Sequence, residues 1–94
     1  MSRLSKEKED KIMANIVSTL YEHSPEALFT SHISNLEVRD EEFIKRLLLN
    51  LKKNGLVVEV KKNSLGEDYS RRSRWRLSDK AYSAYKTHFS KDKQ

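Results

Sequence analysis

The residues of this chain that could do chemistry are its cations. Arg71, Arg72, Arg74 and Arg76 stand within six positions of one another, with no Lys among them. Guanidinium groups grip phosphate bidentately, where Lys acts as a point charge. Four of them exceed what an edge strand needs to repel its neighbours. A second group, Lys45, Arg46, Lys52 and Lys53, is two adjacent pairs seven residues apart. That spacing puts it along one side of a helix. Both groups suit an acidic polymer such as nucleic acid. Other chemistries have little to work with. His23, His32 and His88 lack metal-ligand spacing, and there is no Cys for a thiolate site or a disulfide. No nucleophile-elbow signature occurs, and Gly55 and Gly66 alone make no phosphate-cradling loop. The expectation is a binding protein without cofactor or metal, not an enzyme.

Net charge is +5 with a charged fraction of 35%. The charge is divided along the chain. Residues 1–38 hold 4 Lys and Arg against 6 Asp and Glu, whereas residues 39–94 hold 15 against 8. Ninety-four residues suffice for one core. No run of about 20 apolar residues is present to span a membrane. The polar N-terminus does not read as a secretory signal, so a cytoplasmic setting is expected (host cytoplasm, were the source viral).

The elements that must position these cations can be read in turn. Asp40 to Gly55 has a start, a face and a stop. Asp40 is a good N-cap, and Glu41 and Glu42 complement the helix dipole. Ile44, Leu47, Leu48 and Leu51 form an apolar face. Asn54-Gly55 ends the helix through the left-handed conformation that Gly adopts easily. Glu42, Lys45, Arg46, Leu49, Lys52 and Lys53 then point outward. On a bland reading they are a solvated face with Glu41–Lys45 and Glu42–Arg46 pairs.

Upstream, a helix is expected from about Ser5 to His23, with Ile12, Met13, Ile16, Val17, Leu20 and Tyr21 as its stripe. Ser24-Pro25 suggests a second, short helix over Pro25 to Ile33. A turn at Ser34 to Arg39 would follow, with Leu36 and Val38 as an apolar plug. Downstream, Leu56 to Lys61 reads as a strand. Lys62 to Asp68 is turn chemistry, and its length suggests a flexible flap. Tyr69 to Leu77 reads as a second strand. Alternation puts Trp75 and Leu77 on the core beside Val58 and Val60, and Arg72, Arg74 and Arg76 on the other face. Ser78 would cap a last helix from Asp79 to about Phe89, with Ala81, Tyr82, Tyr85 and Phe89 inward. The domain is expected to span 5–89, with flexible termini at 1–4 and 90–94.

Three stretches carry a resemblance: Leu51-Lys52-Lys53-Asn54-Gly55-Leu56-Val57, Arg71 to Arg76, and Trp75-Arg76-Leu77-Ser78-Asp79-Lys80. They resemble the recognition-helix end, the basic wing strand and the strand-to-helix junction of the winged helix-turn-helix superfamily, particularly small MarR-, ArsR- and PadR-like regulators. An archaeon, a virus or another compact genome would be a natural source. The resemblance implies an α+β fold: a three-helix core, a two-stranded β-hairpin wing and a C-terminal helix. It further implies a transcriptional regulator specific for a double-stranded DNA sequence. Residues 40–54 would enter the major groove, and the wing, about 61–74, would lie on the backbone or in the minor groove. The DNA-contacting residues would be Lys45, Arg46, Leu49, Lys52, Lys53, Lys61, Lys62, Arg71, Arg72 and Arg74. Family recognition helices usually open with small polar or basic residues. Asp40-Glu41-Glu42 departs from that and shifts the expected contacts toward the wing and the helix C-terminus. The same opening would suit a protein–protein adaptor, and the wing alone could bind structured RNA. On this reading the terminal helices carry more apolar residues than one core requires, and by resemblance they would form a homodimer.

Overall fold

The computed structural model of the chain describes residues 6–61 and 73–92. Their order is α1 (Lys6–His23), β1 (Leu28–Phe29), α2 (Thr30–Glu37), α3 (Glu41–Lys53), β2 (Val57–Val60), β3 (Arg74–Leu77) and α4 (Asp79–Asp92). The three strands form an antiparallel sheet in the order β1-β3-β2. Helices α1, α2 and α3 pack on one another, and α1 also lies against β3. Their shared core holds Ile12, Ile16, Leu20, Ile33, Ile44, Leu47, Leu48 and Leu51 from the helices. The sheet adds Leu28, Val57, Trp75 and Leu77. The apolar stripes of α1 and α3 are thus buried as their periodicity predicts.

The second helix is the main departure. It begins at Thr30, not Pro25, and runs on to Glu37. Ser24 to Glu26 is a turn, in which the Ser24 and Glu26 amides donate to the Tyr21 and His23 carbonyls. The Ser24-Pro25 cap signal is real but loses to pairing. Leu28 sits opposite Trp75 and Phe29 opposite Arg74, so their backbone belongs to the sheet. Burying Leu28 outweighs a local cap preference, which is a weak prior beside tertiary packing. The helix start is secured instead by a side chain: the Trp75 indole Nε1–H donates to Thr30 Oγ1 at 2.7 Å in the buried interior. The wing is therefore the two-stranded part of a three-stranded sheet.

The expected plug at Leu36 and Val38 does not form. Leu36 is 48% exposed and Val38 87%. Ser34 and Asn35 lie inside α2, and Val38 ends it in the left-handed conformation at φ 55°. Facing residues in the sheet also differ from expectation. Val57 pairs with Leu77 and Glu59 with Trp75, whereas Val58 pairs with Arg76 and Val60 with Arg74. Cross-strand partners share a face. Val57 and Glu59 therefore stand on the core side, and Val58 and Val60 accompany the arginines on the outer side. The strand is out of the expected phase by one residue, because Gly55 and Leu56 complete the helix cap before extended structure begins.

Strand β2 is shorter than its sequence signal, and β3 starts at Arg74, with residues 69–72 of its expected span outside the described residues. Arg74 and Arg76 do face away from Trp75 and Leu77, but half-buried rather than solvated. Helix α4 continues past Phe89 to Asp92. Its Ser78 cap is as expected: Ser78 Oγ accepts from the Ala81 amide and donates to the Gly55 carbonyl at 2.8 Å. Much of the apolar surface attributed to the terminal helices is consumed within the chain. Ile12, Ile16 and Leu20 are core residues. Tyr21 of α1 meets Tyr82 and Tyr85 of α4 at ring-centroid distances of 5.1 and 4.6 Å.

Candidate nucleic-acid interface

The candidate interface is built on α3. The Asp40 carboxylate accepts from the Glu42 and Phe43 amides at 3.0 and 3.2 Å, satisfying two donors that the first turn leaves open. At the other end, Gly55 takes φ +78°. The Leu56 amide donates to the Leu51 carbonyl and the Gly55 amide to that of Lys52, a Schellman closure. Between these stops Ile44, Leu47, Leu48 and Leu51 are buried. Lys45, Arg46, Leu49, Asn50, Lys52 and Lys53 are exposed on the opposite side. The helix is fixed by its inner face, so its outer face is a rigid strip.

The cations on that strip differ in how free they are. Lys45 and Lys53 have no ion pair among the described residues. Arg46 does not pair with Glu42. Its Nη2 lies 3.1 Å from Glu9 Oε2 of α1, and its guanidinium is 5.2 Å from the Phe43 ring centroid. Lys52 reaches across to the sheet, where Nζ donates to Glu59 Oε1 at 2.8 Å. Lys61, at the end of β2, is 4.0 Å from the other Glu59 oxygen. Arg74 lies over Phe29, its guanidinium 5.7 Å from the ring centroid. Leu49 is 45% exposed in the middle of the strip. Lys62, Arg71 and Arg72, with the neighbouring Tyr69, lie outside the described residues.

Two acids that composition alone did not single out are thus part of the site. Glu9 braces Arg46, and its role needed the three-dimensional approach of α1 to α3. Glu59 had a signal: it is the one charge in Val57-Val58-Glu59-Val60, and it falls on the same side as Val57. Its side chain is 8% exposed. Burial works against its charge. Hydrogen bonds from Lys52 and Ser73, with the charges of Lys52 and Lys61, outweigh that penalty and hold its pKa below the ordinary 4.5.

No protein-family model and no curated protein matches the chain. Solved structures do. The MepR–DNA complex of Staphylococcus aureus superposes at TM-score 0.70 with 22% identity, covering 94% of this chain and 72% of MepR. The fold is a winged helix-turn-helix. ZitR of Lactococcus lactis, in an apo mutant form, gives TM-score 0.69 and 18% identity over 93% of this chain and 61% of ZitR. A MepR mutant from a clinical S. aureus isolate gives 0.64 and 19% over 78% of this chain. Against that form the chain spans only 50% of the length. In winged helices α2 and α3 form the helix-turn-helix, and β2 and β3 are the stem of the wing.

Proposed function

We propose that this chain is a sequence-specific, double-stranded DNA-binding transcriptional regulator working in the cytoplasm, not an enzyme. The observation that carries the reading is the two-sidedness of α3. One side is spent on the core, and the other presents Lys45, Arg46, Leu49 and Lys53 as a single strip beside the wing stem, with Lys52 at its flank held by Glu59. The major groove admits an α-helix, and there apolar and cationic side chains meet base edges and phosphates. The MepR–DNA complex, similar over nearly the whole chain, supports it. Lys45 and Lys53 are the residues readiest to meet DNA. Arg46 is braced by Glu9 and can still offer its remaining guanidinium donors. Lys61, Lys62, Arg71, Arg72 and Arg74 of the wing would add backbone or minor-groove contacts. A two-fold dimer through the terminal helices would set two α3 helices about one turn of DNA apart on a palindromic site. Asp40, Glu41 and Glu42 keep the N-terminus of α3 away from phosphate, so contacts concentrate from Lys45 onward.

The test is fluorescence anisotropy with a labelled duplex over a range of salt, comparing wild type with Lys45→Gln/Lys53→Gln. Affinity should fall with log salt, and the slope should become shallower by about 0.9 for each phosphate contact removed. A folded wild-type protein that binds no duplex at low salt would refute the reading and redirect attention to RNA or a protein partner.

A further inference from the structure

Glu59 has a place that DNA binding as such does not explain. It stands on the core side of β2, opposite Trp75 in the ladder, and its side chain is almost fully buried. A carboxylate there is costly unless paired and hydrogen-bonded. Three groups satisfy it, and they come from three places. Lys52 Nζ, in the last turn of α3, is 2.8 Å away. Lys61 Nζ, where the chain leaves β2, is 4.0 Å away. Ser73 Oγ, where the chain returns to β3, donates to Oε2. Lys61 and Ser73 flank the connection between the two wing strands, so one carboxylate touches both sides of its neck and the recognition helix.

We infer that Glu59 is a positioning residue. It clamps the neck of the wing to the C-terminal turn of α3 and keeps Lys52 from DNA phosphate. The inference rests on the DNA-binding reading for its consequence, but the clamp itself exists without DNA. Lys52 is exposed on its flank, 49% by side chain, so a phosphate could reach it. To take that phosphate Lys52 must leave a buried anion behind, and that penalty opposes the exchange. Glu59 thus acts as an internal competitor for the one kind of contact that carries no sequence information. The charge that α3 offers to any duplex is reduced, while the relative setting of helix and wing is fixed.

Three variants of the full chain separate this from a purely structural role: Glu59→Gln, Lys52→Gln and the double variant. Gln retains the volume and an acceptor for Ser73 but not the charge. Each is titrated against a duplex enriched from a random pool and against a scrambled duplex. Amide hydrogen exchange at Val60, Lys61, Ser73 and Arg74 is followed on the free protein. In Glu59→Gln, exchange at these amides should rise. The salt slope should steepen by about 0.9, equivalent to a further loss of affinity of about 3.5-fold between 50 and 200 mM salt. Scrambled duplex should gain more affinity than the enriched one. Lys52→Gln alone should leave the wild-type slope unchanged, and the double variant should restore it. A shallower slope in Lys52→Gln would show Lys52 already on phosphate and overturn the inference. Unchanged exchange in Glu59→Gln would overturn the clamp. Faster exchange in a protein whose wild type binds no duplex would instead retain the clamp and remove the DNA-binding reading.

Discussion

Val38 and Gly55 occupy the same position in two helix ends. Each takes a left-handed φ, 55° and 78° respectively. Both ends close in the same way: the Arg39 amide donates to the Ser34 carbonyl as that of Leu56 does to Leu51. Gly is suited to this geometry, and a β-branched residue is not. A Cβ at Gly55 would meet nothing within 4 Å, so the cost of adding one is conformational and not steric. We expect Gly55→Ala to destabilise the fold by about 1 kcal/mol. Val38→Gly should stabilise it by a similar amount, about 1 kcal/mol, since Val38 buries almost nothing. Urea midpoints at unchanged m-value decide both. A destabilised Val38→Gly would mean that the Val side chain has a contact worth more than its strain. Thr30 offers a third residue-scale test. Thr30→Val keeps the shape but strands the buried Trp75 N–H, and should cost about 1–3 kcal/mol. A neutral result would show that the indole finds another acceptor.

At the scale of elements, two carboxylates give opposite pH dependences. The Glu59 pKa is held down in the fold by Lys52, Ser73 and Lys61 against its burial. Its stabilising contribution is therefore complete above the unfolded value of 4.5 and is lost as pH falls through the lower folded value. Glu37, at the end of α2, is pushed up by burial, which a Thr19 hydrogen bond and the Arg39 charge only partly offset. Its contribution runs the other way, fading as pH rises through its folded value. Below pH 4.5, wild type should lose stability more steeply than Glu59→Gln, measured as urea midpoint against pH. Parallel curves would mean that the α3–β2 ion pair is not a stabilising link. The α3 face itself is robust to such changes, because Ile44, Leu47, Leu48 and Leu51 hold it.

For the whole molecule, the division of charge is the governing feature. The acidic part, residues 1–38, supplies α1, β1 and α2 and one brace, Glu9, for the basic face. The basic part supplies α3, the wing strands and α4. A two-fold dimer would double that basic surface and is expected to sediment at twice the 11.1 kDa of one chain. A monomer across the accessible concentration range would refute the dimer. The Tyr21, Tyr82 and Tyr85 cluster fastens α4 to α1 within the chain. Any dimer surface would therefore lie on what those two helices leave outside it.

Sequence by itself determined the elements whose signals are local and mutually consistent. Asp40, the Ile44-Leu47-Leu48-Leu51 face and Asn54-Gly55 specify α3 without help. Ser78 specifies the start of α4, and the alternation around Trp75 assigns the faces of β3. Only tertiary structure decided the rest. Pro25 carries a helix signal, yet Leu28 and Phe29 are recruited as a strand because β3 has a free edge beside them. Leu36 and Val38 look like core residues and are not, because α2 runs a turn further and carries them outward. The phase of β2 depended on how many residues the cap of α3 consumed, and with it whether Glu59 or Val60 would face inward. Periodicity reports which residues can share a face; which neighbour that face meets, and which charge must be answered there, is set by packing.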